Sequence, residues 1–393
     1  MKTLDDLLNL LKGVSEIEED EDVKIENSVG RILSTDIFSE YDFPPYNRAA
    51  MDGFAFRYAD LDESQTLTVR EEILAGHPLK VELKKGECVR IMTGGAVPEP
   101  CDTVIEIESC EIDGERVKIK KPVSQFANIA VKGEDLKKGE LALKKGCVLT
   151  SNKINLIASL GMRYIKVKRK LRIGILSTGD ELVDVDEEID YGQIRNSSKY
   201  SLMAQILGIN QDFFDLGISK DDEEEIKSKV KAGMAECDIL LITGGSSVGD
   251  KDLTLKVLKD LNAQILVSKL AIKPGAPTII AKFENKWIFG LPGNPVSTYL
   301  SFLVSVTPLV EKLTGSDEIG KPVLKGKFGG TFKKRGNRTD FVPCYVKDGI
   351  IKEIKYNGSG DFTSLANANA FFIIYPGTEI LQEGDTVDYF LID

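Results

Sequence analysis

Two apolar runs that each end in a glycine-rich turn place the strongest constraint on how this chain can fold. Residues 239–249 (ILLITGGSSVG) and 287–297 (WIFGLPGNPVS) both pass from a strand-like run, through glycines, into a segment that suits a helix. Parallel strands end at one edge of a sheet, so the N–H groups of the turns and the helix N-termini would face a common crevice. The pattern predicts an α/β domain that binds an anionic ligand at this edge.

The alternation of strands and helices extends from residue 171 to residue 315. The predicted strands are 171–177, 212–216 and 238–243, and the predicted helices are 197–207, 221–232, 252–261 and 295–313. Apolar strands separated by amphipathic helices are typical of a mostly parallel, doubly wound sheet with helices on both faces.

The rest of the chain follows other patterns, so we predict a multi-domain α/β plus β protein. Residues 3–12 form a predicted helix capped by Thr3 with Asp6, and the acidic run 16–22 is a predicted exposed connection. Residues 40–145 have short alternating segments typical of an irregular β-rich lobe, with a hairpin over 104–119 that turns at Asp113-Gly114. A helix over 151–160 follows. After Gly320 the pattern predicts a small all-β domain.

Charge limits the classes of partner. Lys and Arg number 51 against 62 Asp and Glu, for a formal charge of −11, which disfavours binding to nucleic acid or to an anionic membrane. No apolar run reaches membrane-spanning length and the N-terminus is acidic rather than signal-like, so we expect a cytoplasmic protein.

Cysteine and histidine are too sparse for several kinds of site. The six cysteines form no CxxC pair, and His77 is the single histidine. These counts disfavour a zinc site and a catalytic triad, and they favour buried structural thiols. The chemistry must then depend on carboxylates, lysine, arginine and hydroxyls, with or without a hard metal ion.

Each turn at the sheet edge also has a purely structural interpretation. Residues 243–249 offer backbone donors and two hydroxyls but lack the Gly-Lys-Ser/Thr of a Walker A loop. Both interpretations of this segment, a phosphate-binding loop and a tight strand-to-helix connection, therefore remain open. In 290–295, Asn294 can cap the next helix and Pro295 suits its first position.

Acidic side chains follow three of the predicted strands. Asp180 and Glu181 come after the first strand, and Asp221 and Asp252 stand at the starts of later helices. One such acid would only suit a helix N-terminus. Several at one sheet edge predict a Mg²⁺ site beside a phosphate.

Two lysines and three further turns complete the set of candidates. Lys269 and Lys273 would lie on one face of a strand, where they could capture an oxyanion or simply be exposed. The β-rich lobe has turns at 50–55, 91–96 and 133–135. Taken alone, none of these turns indicates a functional site.

Taken together and in order, seven motifs resemble one family. The segments AAMDGFA, IMTGGAVP, VKGEDL, STGDEL, TGGSSVGDKD, KLAIKPG and GLPGNPVS are similar to those of the MoeA family, the molybdopterin molybdenumtransferases, which include the gephyrin E domain. The resemblance implies a MogA/MoaB-like sheet domain and a C-terminal β-barrel. It implies the domains 1–20 (helix packing with the sheet domain), 21–40 with 140–169 (linking), 41–139 (β-rich lobe), 170–316 (molybdopterin-binding α/β) and 317–393 (β-barrel).

The resemblance also implies an activity. Members insert molybdate or tungstate into adenylylated molybdopterin, with Mg²⁺-dependent cleavage of the phosphoanhydride and release of AMP. They are homodimers in which the β-rich lobe of one subunit reaches the sheet of the other, and a contact with the molybdopterin adenylyltransferase is a further expectation.

Site residues follow from the resemblance position by position. The implied catalytic residues are Asp52, Thr93, Asp135, Glu181, Asp221, Asp252, Lys269 and Lys273, with Glu181, Asp221 and Asp252 as metal ligands. The implied substrate-binding residues are Gly244, Gly245, Ser246, Ser247, Gly249, Pro292, Gly293, Asn294, Pro295, Ser297, Arg338 and Ser364. One departure is Ala276, where many members have a lysine.

Three alternative functions are compatible with a protein that contains this sheet. A non-catalytic scaffold of the same fold is disfavoured by the intact carboxylates, and an adenylyltransferase needs only the sheet domain. A nucleotide-processing hydrolase has no support from the motifs before residue 140.

Overall fold

The computed structural model describes residues 1–77, 82–244 and 253–392. The predicted site residues Gly245, Ser246, Ser247, Gly249 and Asp252 lie outside the described residues. The chain divides into two compact units, one formed by Met1–Ser34, Gly146–Thr150 and Tyr164–Asp393, the other by Thr35–Lys145 and Ser151–Arg163.

The helices are α1 (Leu4–Lys12), α2 (Ser151–Ser159), α3 (Ser197–Gly208), α4 (Glu223–Glu236), α5 (Leu253–Asp260), α6 (Pro295–Ser301), α7 (Thr307–Leu313) and α8 (Phe362–Asn367). The strands are β1 (Asp20–Lys24), β2 (Ile37–Phe38), β3 (Arg48–Ala49), β4 (Gly53–Phe56), β5 (Thr66–Ile73), β6 (Glu87–Ile91), β7 (Thr103–Glu106), β8 (Cys110–Asp113), β9 (Arg116–Ile119), β10 (Ile129–Ala130), β11 (Leu141–Leu143), β12 (Tyr164–Lys168), β13 (Arg172–Thr178), β14 (Leu182–Val183), β15 (Ile194–Arg195), β16 (Asp212–Ser219), β17 (Ile239–Thr243), β18 (Gln264–Val267), β19 (Ile272–Lys273), β20 (Ile279–Phe283), β21 (Lys286–Leu291), β22 (Leu324–Phe328), β23 (Phe332–Lys333), β24 (Thr339–Lys347), β25 (Ile350–Glu353), β26 (Ala370–Ile374), β27 (Ile380–Leu381) and β28 (Thr386–Leu391).

The first unit contains a six-stranded sheet in the order β16-β13-β17-β21-β20-β18. The first four strands are mutually parallel, while β20 and β18 are antiparallel to their neighbours. Every residue of β17 is buried, as expected for a strand covered on both faces. Alternate residues of β17 enter two cores: Leu241 packs on the side of α3 and α6, and Leu240 on the side of α4 and α5. The predicted doubly wound sheet is confirmed.

The end of the first unit is a closed barrel. Strands β24, β25, β22, β28 and β26 form a ring because β24 pairs with both β25 and β26, which confirms the predicted small β-domain. Strand β19 joins this ring, with Lys273 in register with Asp340. The aromatic side chains of Phe341, Phe371 and Phe390 belong to the same apolar core as Leu300 of α6. The sheet layer and the barrel therefore share a core.

The second unit is built on a mixed sheet in the order β7-β4-β6-β5-β9-β8. Strands β8 and β9 form the predicted hairpin around Asp113-Gly114. The hairpin is shorter than predicted, because Ile105 lies in β7 and pairs with Phe54 of β4 instead. This sheet provides the β-rich lobe that the sequence predicts.

Two local predictions near the N-terminus have different outcomes. Helix α1 begins as predicted, with a reciprocal capping box between Thr3 and Asp6. The acidic run 16–22 is predicted to be an exposed connection. Its last three residues are exposed as predicted, but the prediction of a connection is wrong from Asp20 onward. Strand β1 begins there and pairs with β12, which places Val23 opposite the buried Ile165.

The predicted helix 295–313 is interrupted in its middle. A π-helical segment, Phe302–Val306, separates α6 from α7. Pro308 explains the change of hydrogen bonding, because it has no N–H and its ring clashes with the carbonyl group four residues earlier. None of the helices in the described part of the chain is long and apolar enough to cross a membrane.

Candidate functional site

A cavity of about 770 Å³ opens at the carboxyl ends of β13, β17 and β21. Its described lining residues are Thr178, Glu181, Leu182, Ile194, Arg195, Asn196, Ser197, Ser198, Asp221, Thr243, Gly244, Leu253, Lys256, Gly293, Asn294 and Pro295. The volume lies within the usual range of small-molecule sites. The crevice is at the sheet edge that the two glycine turns predict.

Gly244, the described glycine of the first turn, lies close to Gly293 of the second turn in this cavity. Gly244 has a φ of +86°, and a Cβ atom there would lie 2.0 Å from the carbonyl oxygen of Thr178. A Cβ atom on Gly293 would lie 3.5 Å from the Cα atom of Gly244. Glycine is therefore required at Gly244 both by its backbone angle and by the neighbouring strand end. The resulting backbone surface lets a ligand approach the chain without side chains in between.

Carboxylates form one side of the cavity. The backbone N–H of Asp221 donates to a carboxylate oxygen of Asp180 at 3.2 Å, and Glu181 also lines the cavity. Partial burial raises the pKa of Asp221, and the negative charges of Asp180 and Glu181 raise it further. A bound cation would relieve this repulsion.

The described residues alone do not form a complete metal-binding cage. Within residues 1–77, 82–244 and 253–392, no three His, Cys, Asp or Glu side chains converge on a common point. Glu181 and Asp221 still suit Mg²⁺, which usually takes one or two carboxylates and completes its coordination with water and phosphate oxygens. The third predicted ligand, Asp252, lies outside the part of the chain that can be assessed.

Asn196 is a cavity residue that the sequence analysis did not identify. Its side chain is almost fully buried, and its Oδ1 accepts hydrogen bonds from the Ser177 hydroxyl (3.2 Å) and from the Lys199 N–H (3.3 Å). Its Nδ2 finds no hydrogen-bond partner among the described residues. An unpaired buried donor is unfavourable by about 1–3 kcal/mol, so this N–H group is available to a ligand. The sequence signal, an asparagine before a helix, indicates only a cap.

Asn294 occupies the predicted N-cap position of α6, with Pro295 first in the helix, but it does not cap through its side chain. Its Nδ2 donates instead to the hydroxyl of Ser359 at 3.0 Å, and the Val296 N–H donates to the carbonyl group of Ser359 at 3.1 Å. Ser359 belongs to the barrel region, and the sequence analysis did not identify it. These contacts fix the turn that carries Gly293.

A second cluster of charged groups lies where β19 meets the barrel. The Nζ of Lys273 is 3.4 Å from the carboxylate of Asp340, a residue that is 3% exposed. The other oxygen of Asp340 has no hydrogen-bond partner among the described residues. The nearby Lys334 donates to the carbonyl group of Tyr375 at 2.7 Å, and burial lowers its pKa. Two lysines thus surround one buried carboxylate.

The predicted substrate-binding residues Ser297 and Ser364 are only partly brought together with Lys273. Ser297 is buried in α6. The turn after Lys273 packs against the same helix, since a Cβ atom on Gly275 would lie 2.7 Å from the Ser301 hydroxyl. Ser364 is buried in α8, where its hydroxyl donates to the Asp361 carbonyl group at 2.8 Å.

The side chains of Arg338 and Lys269 make no hydrogen bond or ion pair with a described residue, although the Lys269 carbonyl group accepts the Lys2 N–H at 2.9 Å. Arg338 is half-buried, while Lys269 is exposed. Strand β19 contains Lys273 but not Lys269, so the predicted strand through both lysines is wrong. Lys269 is also not among the described residues that line the cavity.

The second unit holds three of the predicted residues. One carboxylate oxygen of Asp52 accepts hydrogen bonds from the N–H (2.7 Å) and from the hydroxyl (2.6 Å) of Thr93. The hydroxyl and then the N–H lower the pKa of Asp52, so this carboxylate is ionised at neutral pH. A Cβ atom on Gly53 would lie 1.9 Å from the Ile105 carbonyl oxygen. Asp135 is exposed, and its N–H donates to the Phe43 carbonyl group at 2.9 Å.

Comparison with known proteins gives a consistent result along the whole chain. Family models described as MoeA N-terminal region (domain I and II), probable molybdopterin binding domain and MoeA C-terminal region (domain IV) match residues 2–161, 174–312 and 325–392. The molybdopterin molybdenumtransferase of Haemophilus influenzae is 34% identical, over 93% of this chain and 92% of that protein. The protein of the same name from Staphylococcus epidermidis is 32% identical, over 94% and 91%. The crystal structure of the molybdopterin biosynthesis MoeA protein from Pyrococcus horikoshii OT3 superposes with a TM-score of 0.87 at 31% identity, covering all of both chains.

Proposed function

Because this chain belongs to the MoeA family of molybdopterin molybdenumtransferases, we propose that it inserts molybdate or tungstate into adenylylated molybdopterin. The reaction is Mg²⁺-dependent, cleaves the phosphoanhydride and releases AMP. The observation that carries this proposal is the meeting of Gly244 and Gly293 beside Glu181 and Asp221 in one cavity. We further propose that the protein acts as a cytoplasmic homodimer, with the molybdopterin adenylyltransferase as a contact that delivers substrate.

The cavity suits the nucleotide-pterin in both size and chemistry. Its volume of about 770 Å³ can enclose much of a ligand of this size. The exposed backbone at Gly244 and Gly293 supports a close phosphate contact. The free Nδ2 donor of Asn196 supports a hydrogen bond to a ligand oxygen.

Glu181 and Asp221 are the described residues that would hold Mg²⁺, with Asp252 as a third ligand by resemblance. When bound, the ion supplies charge neutralisation at the scissile phosphates. The raised pKa of Asp221, which comes first from its partial burial and then from the charges of Asp180 and Glu181, supports this role. The chain itself supplies the fixed geometry: Asp180 accepts the Asp221 N–H and so holds the two strand ends together.

The oxyanion is a dianion, and cationic side chains of the chain would hold it. Lys273, with Arg338, Ser297 and Ser364, forms the proposed oxyanion site. Lys273 already faces the carboxylate of Asp340, which keeps its ammonium group in a defined position. Binding of this kind accelerates the reaction by positioning the reactants and does not require a covalent nucleophile.

Asp52 would orient the attacking oxygen rather than remove its proton. Its two hydrogen bonds from Thr93 lower its pKa, which makes it a weak base. Its second oxygen accepts no hydrogen bond from a described residue, so it can still accept one from a hydroxyl group or water and align that group. In the proposed homodimer this group would come from the partner's Asp52.

The test is to incubate the pure protein with adenylylated molybdopterin, Mg²⁺ and either molybdate or tungstate, and to follow AMP and bound metal. AMP formation stimulated by an oxyanion supports the proposal, and the more effective ion identifies the substrate. Formation of pyrophosphate from ATP and molybdopterin would instead indicate an adenylyltransferase. Absence of both reactions would favour a scaffold.

Two variants test the site itself. Asp52→Ala and Asp221→Ala should keep nucleotide-pterin binding and lower the rate of AMP release by about 100-fold or more. Asp113→Ala, in the exposed turn of the β8–β9 hairpin, is the control and should retain the full rate. Unchanged AMP release in both site variants would contradict the proposed roles.

A further inference from the structure

Arg195 stands at the wall of the cavity and is not among the predicted site residues. Its Nε donates to the carbonyl group of Val185 at 3.0 Å, and its Nη2 donates to the carbonyl group of Glu187 at 3.1 Å. These two bonds fix one edge of the guanidinium group. We propose that Arg195 binds a phosphate of the ligand in this cavity, and that Lys199 and Asp184 hold it in position for that contact. This inference deepens the proposed function and rests on it for the identity of the ligand.

The guanidinium group of Arg195 could take an anion even though two carboxylates, Glu181 and Asp221, also line the cavity. The described lining residues include two cations, Arg195 and Lys256. Lys256 is already paired with Glu223. Arg195 forms no ion pair with a described residue. A guanidinium group has five N–H donors, of which two are used here, so the remaining donors can bind two oxygens of a phosphate at once.

Ion pairs between the buried Lys199 and two partly exposed carboxylates hold the segment that fixes Arg195. The Nζ of Lys199, a residue only 8% exposed, lies 2.7 Å from Asp184 and 3.3 Å from Asp215. The hydroxyl of Tyr200 donates to the second oxygen of Asp184 at 2.8 Å. The hydrogen bond from Lys199, with those from the Val185 N–H and Tyr200, lowers the pKa of Asp184 to about 2. The pair therefore remains charged at all ordinary pH values.

The path from this ion pair to the cavity is short and continuous. Asp184 directly precedes Val185, whose N–H donates back to the Asp184 carboxylate at 2.8 Å and whose carbonyl group accepts from Arg195. The strands in this segment, β14 and β15, pair over two residues each, and such a short pair has little stability of its own. The Lys199–Asp184 pair therefore adds to the support of Arg195, which also directly precedes Asn196, the N-cap residue of α3.

The structure gives the two residues different roles. Arg195 lines the cavity and would touch the ligand directly. Lys199 acts through Asp184 and Val185, so it is a positioning residue whose removal should weaken ligand binding without changing the chemical step. A buried Lys199 that merely stabilised the fold would have no such selective effect.

The first experiment measures binding of adenylylated molybdopterin and, separately, of inorganic pyrophosphate. Arg195→Gln should raise the Kd for both probes by about 10- to 100-fold and make binding less sensitive to salt. Arg195→Lys should recover part of the affinity, since it keeps the charge but not the planar fork. Arg116→Gln, which removes an exposed arginine in β9, is the matched control and should not change either Kd.

The second experiment tests the positioning role. Lys199→Met should raise the KM for adenylylated molybdopterin about 3- to 10-fold while kcat stays within about twofold. It should also accelerate amide hydrogen exchange in residues 183–195. Lys199→Arg should restore both values, because arginine can pair with Asp184 and Asp215.

Each outcome decides one part of the inference. Equal Kd values for Arg195→Gln and Arg116→Gln would overturn the phosphate contact, and unchanged exchange in Lys199→Met would overturn the positioning role. Wild-type protein that binds pyrophosphate through Arg195 but not adenylylated molybdopterin would refute the proposed function and leave the phosphate contact standing. Wild-type protein that binds neither probe would refute both.

Discussion

Replacing Gly244 by alanine should separate two effects at the point where the glycine turns meet. The first is the backbone angle, because a φ of +86° is unfavourable for alanine. The second is the contact with Thr178, whose carbonyl oxygen would lie 2.0 Å from the new methyl carbon. Because that oxygen belongs to the backbone of β13, a strand end must move to make room.

The two effects have separate magnitudes. A left-handed backbone angle destabilises a residue with a Cβ atom by about 1–2 kcal/mol. Forcing an additional carbon into a packed position typically costs a further ~1–3 kcal/mol. The free energy of unfolding should therefore fall by about 2–5 kcal/mol in Gly244→Ala.

Gly217→Ala is the matched control. Gly217 lies in β16 of the same sheet and has a φ of +74°, but a Cβ atom there would meet nothing within 4 Å. It should show only the effect of the backbone angle. The difference between the two variants, about 1–3 kcal/mol, then measures the close approach alone.

Urea unfolding followed by tryptophan fluorescence suits this comparison. Trp287 is the single tryptophan, is 3% exposed, and pairs with Ile239 in β17, the strand that directly precedes Gly244. With an m value of about 3 kcal/mol/M, the midpoints of the two variants should differ by about 0.3–1 M. Identical midpoints would refute the close approach of Gly244 to Thr178.

Two other predictions concern charged groups outside the cavity. Burial raises the pKa of Glu311 to about 7, and its carboxylate accepts the Gly320 N–H at 2.6 Å. Because Glu311 loses its proton less readily in the folded protein than in the unfolded chain, the free energy of unfolding should fall as the pH rises from about 4.5 to about 7. Glu311→Gln should flatten this part of the Tm–pH curve, and an unchanged curve would exclude the carboxyl group as its cause. Lys273→Met should destabilise the protein, because it leaves the buried carboxylate of Asp340 without its cationic partner. Adding Asp340→Asn should restore about 0.5–3 kcal/mol of the free energy of unfolding in a double-mutant cycle. Strict additivity of the two changes would show that the pair does not interact.

Local patterns in the sequence were sufficient for several features. The cap of α1 depends on Thr3 and Asp6, three residues apart, and both contacts form as predicted. The meeting of Gly244 and Gly293 follows from two parallel strands that end in register, Thr243 with Leu291. Features of this kind can be predicted from the spacing of apolar residues and the geometry of one sheet.

Other features depend on contacts between residues that are distant in sequence. Asn294 was expected to cap α6, but Ser359, 65 residues later, receives its side chain instead. Asp20 was expected to be in a solvated linker, but it begins a strand because β12 offers a partner 148 residues later. No local period signals these contacts, and the same is true of the Lys199 ion pair that holds Arg195.

The pairing of β19 with β24 has a consequence for dissecting this protein into fragments. Ile272 and Lys273 come from the sheet layer, yet they add to the rim of the barrel. A fragment that ends before residue 317 would lose the aromatic side chains of Phe341, Phe371 and Phe390 from its core and leave Ile272 without its neighbouring strand. Exposed strand edges next to apolar surface invite association between chains. Such a fragment should accumulate in inclusion bodies, so the sheet layer and the barrel of this chain should be expressed together.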